Sequence, residues 1–192
     1  MTIRARLALV PGSSSVAVPL RWRRLPVSKQ GDDDYACGLH CIVTAAPHLG
    51  ASPGRRGPQR ILKAPTPPHA IRIQARLPAV GLSEKDIRAL AAATGIALYR
   101  PNTHEVAQFT EPGGIWMAFV LVRFTAPTRA QSDERHYVLV LDHLADDGVL
   151  VVADPHPWNP SVYCVALDDF ESAWRAAKAK GPPWAAALYR SG

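Results

Sequence analysis

The second half of the chain carries three strongly apolar runs, Ile115 to Phe124, Tyr137 to Leu141 and Val149 to Val152. Turn and polar residues separate them: Gln131 to Arg135 is a polar loop, and Asp146-Asp147-Gly148 is a turn signal. Short apolar runs bounded in this way read as strands. Helical patterning lies ahead of them. From Cys37 to about Ala46, Leu39, Cys41, Ile42 and Ala45 or Ala46 can share one buried face, and Pro47 and Gly50 close the segment. Ser83 followed by Asp86 resembles a capping box with Asp in place of Glu; Ile87, Leu90, Ala91 and Ala93 supply an apolar stripe, and Gly95 stops it. Helices first and sheet later is an α+β order, not a succession of βαβ units.

The remaining segments fill in around this plan. Leu7 to Val10 and Val16 to Leu20 flank Pro11-Gly12-Ser13-Ser14 and predict a short N-terminal hairpin. Gly31 to Tyr35, with Asp32, Asp33 and Asp34 in a row, is an acidic solvated loop. Residues 51–78 hold six prolines and six basic residues; proline fixes φ and removes a donor, so this is a loop or an extended arm. Ile96 to Tyr99 is a short strand, and Thr103 caps a brief helix ending near Phe109. Leu167 to Ala179 is a helix with Asp168, Asp169 and Glu171 at its start, where the helix dipole favours anions. Trp184 to Tyr189 is a last strand.

A chain of 192 residues corresponds to one domain, and 47% apolar with 20% charged residues is a globular composition. No apolar run reaches the roughly 18 residues of a membrane-spanning helix. Behind Arg4 and Arg6 the apolar stretch is broken by Pro11 and Gly12, which makes a poor secretory signal. A cytoplasmic location, or export by a route that uses no signal peptide, is expected. The formal charge of +6 comes mainly from arginine, and no aromatic–basic stacking motif accompanies it, so charge alone does not carry a nucleic-acid role. Three cysteines are an odd number: no disulfide framework is expected, and at least one thiol is free.

Cys37 is the thiol in the most informative place. It sits at the expected first turn of a helix, where free N–H groups and the positive end of the dipole favour thiolate over thiol. A free thiol, with a pKa of roughly 8.5, ionises only to a few per cent at pH 7, so a nucleophile also needs an imidazolium partner. His136 is the best supplier, at the mouth of the apolar strand His136-Tyr137-Val138-Leu139-Val140-Leu141. Asp154 ends the next run and precedes Pro155. Two adjacent antiparallel strands put the start of one beside the end of the other, and 154 − 136 = 18 residues fits two strands and a turn. Gln30, seven residues ahead of Cys37, can donate to a developing oxyanion together with the Cys37 backbone N–H.

The segment Gln30-Gly31-Asp32-Asp33-Asp34-Tyr35-Ala36-Cys37-Gly38 resembles the Gln…Cys-Gly nucleophile motif of papain-like cysteine peptidases, most closely the bacteriocin-processing, double-glycine leader peptidases and their stand-alone relatives. Gly81-Leu82-Ser83 with Gly95-Ile96 is similar to the family's middle helix. His136-Tyr137-Val138-Leu139 is similar to its histidine strand, and Val151-Val152-Ala153-Asp154-Pro155 with Phe170 and Trp174 to its Asp-Pro segment and closing helix. Residues 26–178 carry the likeness. The family usually has Asp directly before its Cys, where this chain has Ala36, and the stretch 51–78 looks like an insertion into a single domain spanning 1–192. The resemblance implies a papain-like fold with Cys37 as nucleophile, His136 as base, Asp154 as its orienter and Gln30 in the oxyanion hole. It implies hydrolysis of a peptide or related amide bond through a thioester. Acyl transfer or deamidation at the same site, or a catalytically dead peptide-binding module, are the alternatives.

Other groups read more plainly. Cys41 lies one helical turn from Cys37 and reads as core packing, Cys164 as a strand residue, and His40 as a weaker alternative base. Cys37, His40, Cys41 and His136 lack the second cysteine pair of a usual zinc site. Neither a metal nor a cofactor is expected.

Overall fold

The computed structural model describes residues 8–31, 36–51, 82–100, 106, 114–124, 132–177 and 183–191. Helices run over Leu20–Arg23 (α1), Cys37–His48 (α2), Glu84–Ala93 (α3) and Leu167–Ala176 (α4). Strands run over Ile96–Tyr99 (β1), Ile115–Phe124 (β2), Ser132–Leu144 (β3), Val149–Ala153 (β4), Val162–Ala166 (β5) and Ala185–Arg190 (β6). Among the described residues these strands make one sheet in the order β1-β6-β2-β3-β4-β5, every neighbouring pair antiparallel. The arrangement is α+β, as the order of patterns predicts.

Strand alternation sorts the core into two layers. Trp116, Ala118, Val120, Val138 and Val140 join Phe170, Ala173 and Trp174 of α4. Met117, Tyr137 and Leu139 join Leu39 and Ile42 of α2 with Ile87 and Leu90 of α3. β4 is buried at all five positions, which explains its unbroken Val-Leu-Val-Val-Ala: a strand covered on both faces has no polar side to show. The capping box of α3 is present, with the Ser83 N–H donating to Asp86 Oδ2 at 2.9 Å and the Asp86 N–H to Ser83 Oγ at 3.3 Å. Gly95, at φ +76, follows the helix. A 3₁₀ turn, Ala145–Asp147, with Gly148 at φ +62, connects β3 to β4 where Asp146-Asp147-Gly148 predicts a turn.

Several expectations are corrected. Among the described residues the N-terminal hairpin does not form. β6 pairs with β2 only from Ile115 to Ala118, leaving the edge of β2 open farther along, and Leu9 fills it in parallel: its N–H donates to the Leu121 carbonyl and its carbonyl accepts from Arg123, both at 2.8 Å. Leu20, expected in the second hairpin strand, instead begins α1, whose Trp22 is buried, donates to Asp142 Oδ2 at 3.0 Å and packs on the His48 ring. Pro47 lies inside the last turn of α2 rather than after it; the Leu49 N–H still reaches the Ala45 carbonyl at 3.0 Å, so a proline this close to the end is tolerated. α4 runs from Leu167 to Ala176, and Ala179, where the pattern ends it, lies outside the described residues. The acidic run Asp32–Asp34, the Pro- and Arg-rich arm beyond Ala51, and the brief helix expected from Thr103, Val106 apart, lie outside the described residues.

The correction that bears on the site concerns β3. It starts at Ser132, so His136 is its fifth residue and not its first. Glu134 and Arg135 are exposed, and their charges hide a strand that nonetheless pairs with Leu121 and Val122. β4 stops at Ala153, opposite Leu139. β3 therefore overhangs β4, and His136 pairs with Val120 on one side while its other side meets the loop that follows β4. No helix among the described residues is long and apolar enough to cross a membrane.

Candidate active site

Asp154 is the first residue past the end of β4 and is fully buried. Burying a carboxylate is costly unless donors surround it, and here four do. His136 Nε2–H and the His156 backbone N–H donate to Oδ1, both at 2.8 Å. Asn159 Nδ2 and the Tyr163 hydroxyl donate to Oδ2, at 2.8 and 3.0 Å. Burial pushes the carboxyl pKa up, but the His136 charge and these hydrogen bonds outweigh it, and the net direction is down. Asp154 is held as an anion.

His136 is 3% exposed. Burial by itself lowers an imidazole's pKa; Asp154 and Cys37, by charge and by hydrogen bonding, more than reverse this and raise it to about 10. The ring has two nitrogens. Nε2 is committed to Asp154, and the ring also hydrogen-bonds the Cys37 side chain. One imidazole thus joins the sulfur on one side to the buried carboxylate on the other. The His156 ring meets His136 edge-on at 5.8 Å between centroids, and Trp158 stands edge-on to His156 at 5.0 Å.

Cys37 is half-buried and is the first residue of α2. Ala36 precedes it without a capping side chain, and the helix begins with the His40 N–H donating to the Ala36 carbonyl at 3.0 Å. The earlier N–H groups, including that of Cys37, have no carbonyl within the helix to bond. Gly38 is closely packed. A Cβ there would stand 2.8 Å from Ile87 Cδ1 and 3.3 Å from Tyr137 Cδ2, so α2 lies directly on α3 and β3 just behind the thiol.

Gln30 is half-buried, and its backbone N–H donates to the Pro155 carbonyl at 2.9 Å, one residue past Asp154. The structure therefore links Cys37, His136 and Asp154 through side chains and ties the backbone of Gln30 to the loop that holds Asp154. His40 is engaged elsewhere, its Nδ1 sharing a hydrogen bond with Ser28 Oγ at 2.8 Å. Cys41 is buried and donates to the Tyr137 carbonyl at 3.4 Å, and burial raises its pKa well above the usual thiol value. Cys164 is buried in β5, and burial raises its pKa as well. Among the described residues no group of three or more His, Cys, Asp and Glu is arranged to hold a metal ion.

Sequence reasoning missed Asn159 and Tyr163, two of the four donors to Asp154, and also Lys29, whose ammonium lies against the same loop. Their roles depend on how residues 154–161 fold back, and a Pro-rich turn shows no periodicity that would reveal it.

No family model matches the chain, and no curated protein matches it. Among solved structures the chain is similar to the peptidase domain of Streptococcus ComA, a bi-functional ABC transporter involved in a quorum-sensing pathway. The likeness covers 86% of this chain and 97% of that domain at a TM-score of 0.54 and 15% sequence identity. The fold is that of a papain-like peptidase domain. The resemblance read from Gln30, Cys37-Gly38, His136 and Asp154-Pro155 is borne out at the level of the fold, because a chain with so little identity shares the architecture over nearly the whole of that domain.

Proposed function

We propose that this chain is a cysteine peptidase that hydrolyses a peptide or related amide bond. The observation that carries the reading is the unbroken line from the Cys37 sulfur through the His136 imidazole to Asp154, a buried carboxylate with four donors. His136 takes the thiol proton, and the sulfur attacks the substrate carbonyl carbon. The oxyanion that forms is met by the Cys37 N–H and the Gln30 side-chain amide. As the tetrahedral species collapses, the C–N bond breaks, the imidazolium protonates the departing amine, and a thioester remains on Cys37. His136 then removes a proton from water, which attacks the thioester and releases the acid and the free thiol. Asp154 holds the ring in the orientation that serves both halves. A half-buried cysteine beside a buried acid–base pair supports this division of labour, and the peptidase-domain fold supports a peptide as substrate.

Two measurements test it. Iodoacetamide at pH 6 should alkylate Cys37 well before Cys41 and Cys164; equally slow labelling of all three removes the proposal's basis. A peptide library should be cleaved by the wild type, with Cys37→Ala slower by on the order of 10⁴-fold or more. Cleavage that survives this substitution assigns the activity to something else.

A further inference from the structure

We propose that Lys29 is a positioning residue for this site, a clamp that locks the Asp154 loop onto the strap carrying Gln30. The inference rests on the peptidase reading and deepens it. Lys29 Nζ donates to three backbone carbonyls of one loop, those of Asp154 at 2.9 Å, His156 at 2.9 Å and Asn159 at 3.0 Å. A neutral amine has only two N–H groups, so three simultaneous donations to acceptor-only oxygens require the ammonium. Burial lowers its pKa, and the charge of Asp154 offsets this only in part. The next residue adds a fourth contact, the Gln30 N–H to the Pro155 carbonyl.

The loop needs such a partner. β4 ends at Ala153 and β5 begins at Val162, and the residues between include Pro155, Pro157 and Pro160, which cannot donate to one another. Carbonyls that leave a sheet without neighbours must be satisfied elsewhere, and Lys29 gathers three of them on one nitrogen. On its other side the strap is fastened to the nucleophile's helix. The Ser28 N–H donates to Thr44 Oγ1 at 3.0 Å, and Ser28 Oγ meets His40 Nδ1 at 2.8 Å, both partners lying on α2. Three consecutive residues thus join the helix that starts with Cys37 to the loop that starts with Asp154. The three Lys29 hydrogen bonds go to loop carbonyls and not to the sulfur or the imidazole; it acts through the loop.

The experiment compares the whole chain as wild type, Lys29→Met and Lys29→Gln, with folding checked by circular dichroism. Lys29→Met keeps the stem and removes all three donors. For a cleavable library peptide, kcat should fall about 10- to 100-fold while KM stays within about twofold, since a misplacement of about 1 Å costs that order of rate. The His156 amide, which donates to Asp154 Oδ1, should exchange its hydrogen about tenfold faster or more. Folded Lys29→Met with wild-type kcat and wild-type exchange overturns the clamp, and so does a lower melting temperature with kcat untouched. If Lys29→Met does not fold, Lys29→Gln decides by the same two readouts. A wild type without peptide cleavage and without preferential Cys37 labelling defeats the peptidase reading instead, while the exchange of His156 still reports on the clamp.

Discussion

The two sides of the candidate site are built differently. His136 and Asp154 belong to the sheet and the loop from β4 to β5, are buried almost completely, and spend their hydrogen-bonding capacity on protein partners. Cys37 and Gln30 sit at a helix start and on an extended strap, and both are half-buried. The proposed acid–base side is finished before any substrate arrives, and the side that would meet the reacting carbonyl is only half-buried. Electrostatic pre-organisation is worth most where water is excluded, whereas a nucleophile that no substrate can reach is worth nothing. Damage to the buried side should therefore cost both stability and rate, and damage to the open side rate alone.

Asp154→Asn should show the largest effect. It turns an acceptor set into a group with its own N–H donors facing donors, and it removes control of the His136 tautomer. Rate should drop on the order of 10⁴-fold, the scale of the same loss in Ser-His-Asp enzymes, and stability by about 3–5 kcal/mol, the scale for breaking a buried charge pair. Peptide hydrolysis and urea unfolding measure the two, and a folded variant of wild-type stability breaks the contrast. Gln30→Ala should reduce kcat about 10²- to 10³-fold with a stability change of about 1 kcal/mol or less. A stability loss as large as that of Asp154→Asn means Gln30 belongs to the buried side.

The mildest test is the pH dependence of unfolding. The folded pKa of His136 is raised to about 10, above an unfolded value of roughly 6.5, so its contribution to stability is fully present below about pH 6.5 and fades as pH rises toward about 10. Asp154 is lowered, so its contribution is present above the unfolded value of roughly 3.9 and is lost as pH falls through the folded one. Wild-type stability should slope downward between about pH 6.5 and 10, and His136→Gln should flatten that slope. An unchanged slope places the titration in another group.

Much of this was legible in the residues, for identifiable reasons. Cys37, His136 and Asp154 stand at the ends or openings of strongly patterned segments, and the capping box of α3 announces itself in Ser83 and Asp86. The turn at Asp146-Asp147-Gly148 has a glycine where left-handed backbone is needed. What stayed hidden depends on distant partners. Leu9 reads as half of a hairpin until the free edge of β2 is known. The true start of β3 is obscured because Glu134 and Arg135 are charged and exposed although they pair with β2. Lys29 looks like any surface lysine until residues 154–159 turn three carbonyls toward it.

The absent side chain at Gly38 has a practical consequence. With Ile87 and Tyr137 pressed against that spot, the height of the neighbouring sulfur above the sheet is set by how closely the helix backbone can approach these two side chains. Anyone transplanting the proposed nucleophile into another scaffold would have to carry the isoleucine and the tyrosine with it, because the helix alone does not know how deep to sit.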